Sequence, residues 1–248
     1  STLDVPGARL RYDIAGSGPL LVLVPGAGGR AEDFRPLAGW LGRHYTVLCY
    51  ERESADAEGA PERRLAADAE DIRRLIEHVS DEPAYVFATL AGAVAGLRLL
   101  ADRPYLVHAL AAHEPTAFQV LLPDGERWTR LFLGLYERYR QACASPAGPP
   151  AALAGQAHRF ERDRWLEREL RRYSRIELDL ALLEPYRARN LPCCGSRSRA
   201  EPTFRATAAL AERLGVASLT LPGDRLGYAA HPQAFAETLV AALRALRR

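Results

Sequence analysis

No lysine occurs in the chain and its 33 basic residues are all arginine, so Schiff-base and amine-nucleophile chemistry is excluded at once. The side chains able to move protons or hold charge gather in short polar stretches behind apolar runs. His113 and Glu114 follow one such run, Glu51, Arg52 and Glu53 follow another, and Gly223-Asp224-Arg225 follows a third. Ligands of open α/β sheets sit at the carboxyl ends of the strands, so these stretches are where a site would form. His113 and Asp224 are the candidate proton carriers, and Arg225 is a permanent cation that would favour an anionic or polarised-oxygen ligand. Simpler roles compete: a solvated loop at Glu51–Glu53, and a hydrogen bond that fixes the turn at His113–Glu114. Cysteines stand at 49, 143, 193 and 194. Their spacing suits neither a zinc site nor a redox pair, so free thiols are expected, with Cys49 in the core and no metal.

The elements that position these groups can be read from periodicity. Leu20–Val24, Tyr45–Tyr50, Ala84–Phe87 and Val107–Ala112 are strand-like apolar runs, separated by helical patterns over Asp33–Leu41, Arg64–His78 and Gly92–Ala101. This alternation predicts a parallel sheet with crossover helices. After Pro115 the pattern changes to arginine-rich amphipathic stretches, Glu126–Arg140 and Phe160–Leu183, flanking the Ala, Gly and Pro run from Ala144 to Gly155. A strand near Leu191–Cys194, a helix Thr203–Leu214, a strand Ala217–Leu221 and a helix Pro232–Arg247 complete the chain. The expected organisation is a core of residues 1–115 and 191–248, interrupted by a helical cap of residues 116–190.

Composition narrows the function classes. At 248 residues, 48% hydrophobic and 26% charged, the chain is an ordinary globular one with room for a large core. A net charge of +2 without a basic block gives no electrostatic basis for nucleic-acid or acidic-membrane binding. No stretch reaches the roughly 18 apolar residues of a membrane span, and Ser1–Asp13 lacks a signal pattern, so a cytoplasmic protein acting on a small molecule is expected. A homodimer stays open.

Four motifs carry a resemblance to the α/β-hydrolase family, to its small bacterial members, over nearly the whole chain. Val24-Pro25-Gly26-Ala27-Gly28-Gly29 resembles the turn after the third strand that supplies an oxyanion amide, and Ala84–Ala93 resembles the strand, nucleophile elbow and helix start. Ala111-Ala112-His113-Glu114-Pro115 is similar to the strand end before the cap, and Leu221–Tyr228 followed by His231-Pro232 to the loop that bears the family's histidine. The resemblance implies a Ser-His-acid triad, and the residues depart from it in three places. Leu90 stands where the Gly-x-Ser-x-Gly elbow has serine, Arg225 stands where the loop has histidine, and the acid's loop, Gly195–Arg199, has no carboxylate before Glu201. His231, at the start of the last helix, suits a surface or capping role.

Acyl-enzyme chemistry at Leu90 is therefore excluded as the chain is written. The backbone amides of Ala27 and Ala91 can still stabilise a carbonyl, enolate or phenolate oxygen, with Gly26 and Leu90 lining the apolar floor. Trp128, Phe132, Tyr136 and Tyr139, at helical spacing, and Trp165 with Tyr173 can roof a dry cavity for a planar or polyketide-like ligand, although such stripes also serve packing. Three functions follow. The first is a cofactor-independent, non-hydrolytic cyclase, isomerase or lyase of bacterial specialised metabolism, with Gly26, Ala27, Leu90, Ala91, Glu114, Trp128 and Tyr136 as substrate contacts. The second is an inactive small-molecule binder or accessory subunit. The third is hydrolysis by a water activated at Glu114 or Asp224.

Overall fold

The computed structural model describes residues 1–26, 30–53, 61–121, 123–144, 173 and 176–246. Eight strands form one sheet in the order β1-β2-β4-β3-β5-β6-β7-β8, with β1 Thr2–Val5, β2 Ala8–Gly16, β3 Leu20–Val24, β4 Thr46–Glu53, β5 Ala84–Thr89, β6 Val107–His113, β7 Asn190–Gly195 and β8 Leu219–Leu221. Strands β4, β3, β5, β6, β7 and β8 run parallel, while β1 and β2 add an antiparallel pair at one edge. Strand order reverses around β3, whose neighbours are β4 and β5. The crevice beyond the carboxyl ends of β3 and β5 is therefore the natural ligand position.

The helices are α1 Arg35–Leu41, α2 Pro61–Val79, α3 Ala91–Asp102, α4 Gly125–Ala144, α5 Leu180–Leu183, α6 Pro202–Leu214, α7 Gly227–Ala230 and α8 Pro232–Ala245. Successive strand residues serve opposite layers. Val22, Leu48, Val86, Ala88 and Leu110 pack with Ile72, Leu75, Val94 and Leu97 of α2 and α3. Leu21, Leu23, Phe87, Ala109 and Ala111 pack with Leu37 of α1 and Phe235 and Leu239 of α8. This two-residue alternation within almost wholly apolar strands is what a sheet covered on both faces requires. Helix α3 owes its close seat to small residues: a Cβ at Gly96 would crowd Leu110 and Ala88, and one at Gly92 would run into the Pro25 carbonyl oxygen.

Most expected elements are present with shifted ends, and their punctuation is chemical. Pro202 opens α6, and Gly215, at φ 64°, closes it in the left-handed region. Three readings of the sequence need correction. The β1–β2 pair had no apolar-run signal, because β2 alternates exposed and buried residues and lies at the rim. Glu51–Glu53 is not a loop but the end of β4, paired with Arg9–Arg11 of β2. The expected helix Phe160–Leu183 does not continue unbroken to Leu183. Ile176–Asp179 is irregular, and the Asp179 side chain caps a separate α5 by accepting the Ala181 N–H at 3.0 Å. Among the described residues no helix is long and apolar enough to cross a membrane.

Candidate functional site

Only two non-glycine residues among those described have positive φ, Leu90 at 52° and Glu114 at 48°. Both sit at carboxyl ends of adjacent parallel strands. Such backbone costs of order 1–3 kcal/mol per residue and gathers at functional sites. Leu90, at φ 52° and ψ −120°, is the vertex between β5 and α3. Its N–H donates to the His113 carbonyl at 2.9 Å, and the Ala93 N–H donates to its carbonyl at 3.1 Å. No side chain caps α3, and its first residues, Ala91, Gly92 and Ala93, are buried. The leucine side chain leans towards the turn after β3. A Cβ placed at Gly26 would lie 3.0 Å from Leu90 Cβ and 3.3 Å from Leu90 Cδ1. Hydrocarbon thus covers the vertex.

Glu114 is fully buried and does not line the mouth as a ligand contact. Its N–H donates to Cys193 O at 2.9 Å, its Oε1 accepts the Gly195 N–H at 3.0 Å, and its Oε2 accepts the Thr203 hydroxyl at 2.6 Å. One carboxyl group thereby ties β6, the end of β7 and the first turn of α6. The simpler reading of Glu114 is the correct one.

His113 is also fully buried, between the rings of Phe87 and Phe235. Its Nδ1 lies 3.3 Å from Thr89 Oγ1, while Nε2 has no hydrogen-bond partner and stands 4.0 Å from Glu114 Oε1. Burial pushes the imidazole pKa below its ordinary value, against the opposing pull of Glu114 and Asp224. The ring is neutral near pH 7. Thr89, His113 and Glu114 form a hydroxyl, imidazole and carboxyl row, yet Thr89 is 1% exposed and the other two are enclosed. A substrate carbonyl has no approach to that hydroxyl. Thr89 also faces the α1–α8 layer, as the alternation from Phe87 dictates.

The loop that follows β8 supplies the charge. Asp224 Oδ1 accepts the Leu226 N–H at 2.9 Å, an Asx-type turn that shapes the loop. Arg225 Nη1 reaches Glu201 Oε2 at 3.5 Å, with the two side chains 23% and 36% exposed. Sequence reading found the lost acid but not this pairing, because Glu201 enters from the residue before α6, outside the expected Gly195–Arg199 stretch. Tyr228, with ring centroids 4.8 Å from Phe34 and 6.4 Å from Phe87, anchors the loop on the face of the sheet covered by α1 and α8. His231 is exposed at the start of α8 and its side chain makes no cap.

The remaining candidates separate further. Gly26 is half-buried beside Leu90, whereas Ala27 lies outside the described residues. Trp128, on α4, is half-buried against the core with the Arg205 guanidinium 4.8 Å over its ring. Tyr173 is buried and bonds Asp68 of α2 through its hydroxyl, a structural tether. The side chains of Phe132, Tyr136 and Tyr139, and all of Trp165, lie outside the described residues. Among those described, Cys49, Cys193 and Cys194 are free and buried, and no cluster could hold a metal ion. Glu51 joins Arg11 at 3.5 Å and Arg30 at 3.9 Å beside a polar cavity of about 140 Å³, away from Leu90.

No protein-family model matches the chain. It is 31% identical over 258 residues to the uncharacterized hydrolase YraK of Bacillus subtilis, covering 96% of this chain and 93% of that one. The chain belongs to the α/β-hydrolase family. Solved structures agree on the fold of this α/β-hydrolase family member. A hydrolase from Pseudomonas aeruginosa superposes with a TM-score of 0.70 at 19% identity, covering 98% of this chain and 97% of that one. The enol-lactonase from Burkholderia xenovorans gives 0.65 at 18% identity, covering 98% and 100%. A partial match, 34% identical over 165 residues, is to the polyketide synthase ThaQ of Burkholderia thailandensis, over 61% of this chain but 8% of that protein.

Proposed function

We propose that this α/β-hydrolase family member is a non-hydrolytic enzyme of bacterial specialised metabolism. It promotes ring closure, isomerisation or lyase-type cleavage of a polyketide-like or aromatic small molecule, without cofactor or covalent intermediate. The observation that carries the reading is Leu90 at the positive-φ vertex. The elbow's backbone is intact while its reactive atom is absent, so what remains is a shaped apolar floor and the backbone amides at the start of α3. Fixed dipoles and positioning suffice for a substrate that is already reactive. The partial likeness to a polyketide synthase supports the substrate class. Residues 116–190 are proposed as the cap that completes the pocket.

Hydrolysis relocated to an activated water has less support, because both Glu114 oxygens are committed and Asp224 holds its own turn. Two measurements test the proposal. p-Nitrophenyl acetate and butyrate should be hydrolysed no faster than in buffer, by the native chain and by Thr89→Val alike. Substoichiometric protein should convert many equivalents of a reactive poly-β-carbonyl or enol-lactone substrate to a cyclised or isomerised product. Ester turnover above the buffer rate would return the chain to the hydrolases, and stoichiometric binding without turnover would make it a binder.

A further inference from the structure

A groove of about 260 Å³ lies between α1 and α8, lined by Trp40, Arg43 and His44 on one side and by Ala236, Val240 and Arg244 on the other. His44 comes just before β4, so the groove is at the amino ends of the parallel strands, at the opposite end of the sheet from Leu90. Ala236 and Val240 are buried and Trp40 is half-buried, which makes the floor hydrocarbon and indole. The Arg43 guanidinium lies over the Trp40 ring, 4.1 Å from its centre, a contact that neutralises none of its charge. Arg244, in the last turn of α8, donates from Nη2 to His44 Nδ1 at 3.1 Å, so that nitrogen is an unprotonated acceptor. Neither arginine has a carboxylate partner among the described residues, and the carboxyl on the same rim, Glu237, accepts instead from Gln233 at 3.0 Å.

We propose that this groove is a second binding site, for a small aromatic carboxylate whose ring lies on Trp40, Ala236 and Val240 and whose charge is held by Arg43 and Arg244. A guanidinium gives a carboxylate a shorter and stronger bond than it gives a neutral imidazole nitrogen, so the ligand replaces His44 as the acceptor for Arg244. The carbonyl end of α8 favours a cation in its last turn, which accounts for an arginine there without an acid beside it. Two arginines against Glu237, with His44 neutral, match a single negative charge on the ligand. Size selects as well: the cavity is smaller than the roughly 300–1,000 Å³ of pockets for drug-sized molecules, so a body of one or two rings is favoured. The site is independent of the chemistry at Leu90.

Titration of the full chain with 2-naphthoate and 2-naphthamide, followed by calorimetry and at the Trp40 indole N–H by NMR, decides the matter. The acid is expected to shift the indole signal saturably and to bind about fivefold more tightly than the amide, in keeping with partly exposed charge pairs. Arg43→Gln and Arg244→Gln, both at exposed positions, should each weaken the acid and leave the amide unchanged. Ala241→Glu, on the exposed rim, should erase the preference by supplying a carboxylate in place. Equal affinities, binding of neither probe, or a preference that survives the paired arginine substitutions overturns the proposal. So does a dimer in sedimentation that Ala241→Glu converts to monomer, because the occupant is then a second copy of the chain. Turnover assays bear on the Leu90 vertex and not on this preference, so the two readings fail independently.

Discussion

Glu114 shows how a single side chain can look catalytic and be structural. Its type and its place at a strand end are those of a general base, but its two oxygens are consumed by the Gly195 N–H and the Thr203 hydroxyl. Replacing it by alanine leaves two buried donors unpaired, at roughly 1–3 kcal/mol each. Urea unfolding of Glu114→Ala should show a loss of about 3 kcal/mol or more. Because φ is 48° there, Glu114→Gly should lie about 1 kcal/mol above Glu114→Ala; equal stabilities would refute the strain at this position. The sequence left both roles open, since partners 81 and 89 residues away have no local signature. Leu90 was legible for the opposite reason: the flanking Gly92 and the strand before it mark the vertex regardless of what occupies it.

Among elements, the contact between α3 and the turn after β3 holds the crevice to its width. Gly92 lies so close to the Pro25 carbonyl that any side chain there must push the two apart. Overpacking of this kind costs about 1–3 kcal/mol. Gly92→Ala should lose an amount in that range by thermal or urea unfolding, and ligand binding at the vertex should weaken with it; unchanged stability would mean that the turn is slack. The parallel strands and their crossover helices were readable because buried strands such as Leu20–Val24 and Ala84–Thr89 are almost continuously apolar and have prolines at their ends. The β1–β2 pair was not readable, because β2, next to the edge strand β1, carries charged residues such as Arg9 and Arg11 on its open face and alternates over too few residues to stand out. The break before α5 was equally silent, since Asp179 stands among the charged residues of an amphipathic pattern and no proline or glycine marks the interruption.

At the scale of the molecule, enclosing an imidazole makes folding sensitive to pH, and enclosing Cys49, Cys193 and Cys194 shields those three thiols from reagents. The folded His113 has a lowered pKa, so the native state binds fewer protons than the unfolded chain. Its contribution is complete above the ordinary imidazole value of about 6.5 and is lost as pH falls below it, by at most about 1.4 kcal/mol per pH unit. The charged groups facing the ring, Glu114 and Asp224, moderate this loss. Comparing native and His113→Gln stabilities from pH 8 to pH 5 should show the steeper decline in the native chain; parallel curves would mean that the ring protonates in place. Burial first, and Asp13 second, push the Cys49 thiol up to about 12, and burial also pushes the Cys193 thiol well up, so maleimide at pH 8 should leave both unmodified in the folded protein. A related constraint acts at Leu90, where a main-chain hydrogen bond to the neighbouring strand β6 and one within its own turn set the backbone. A mould of this kind survives a change of contents. Descendants of one ancestral scaffold can abandon or regain a reactive atom by exchanging one residue, and their chemistry can diverge well before their architecture does.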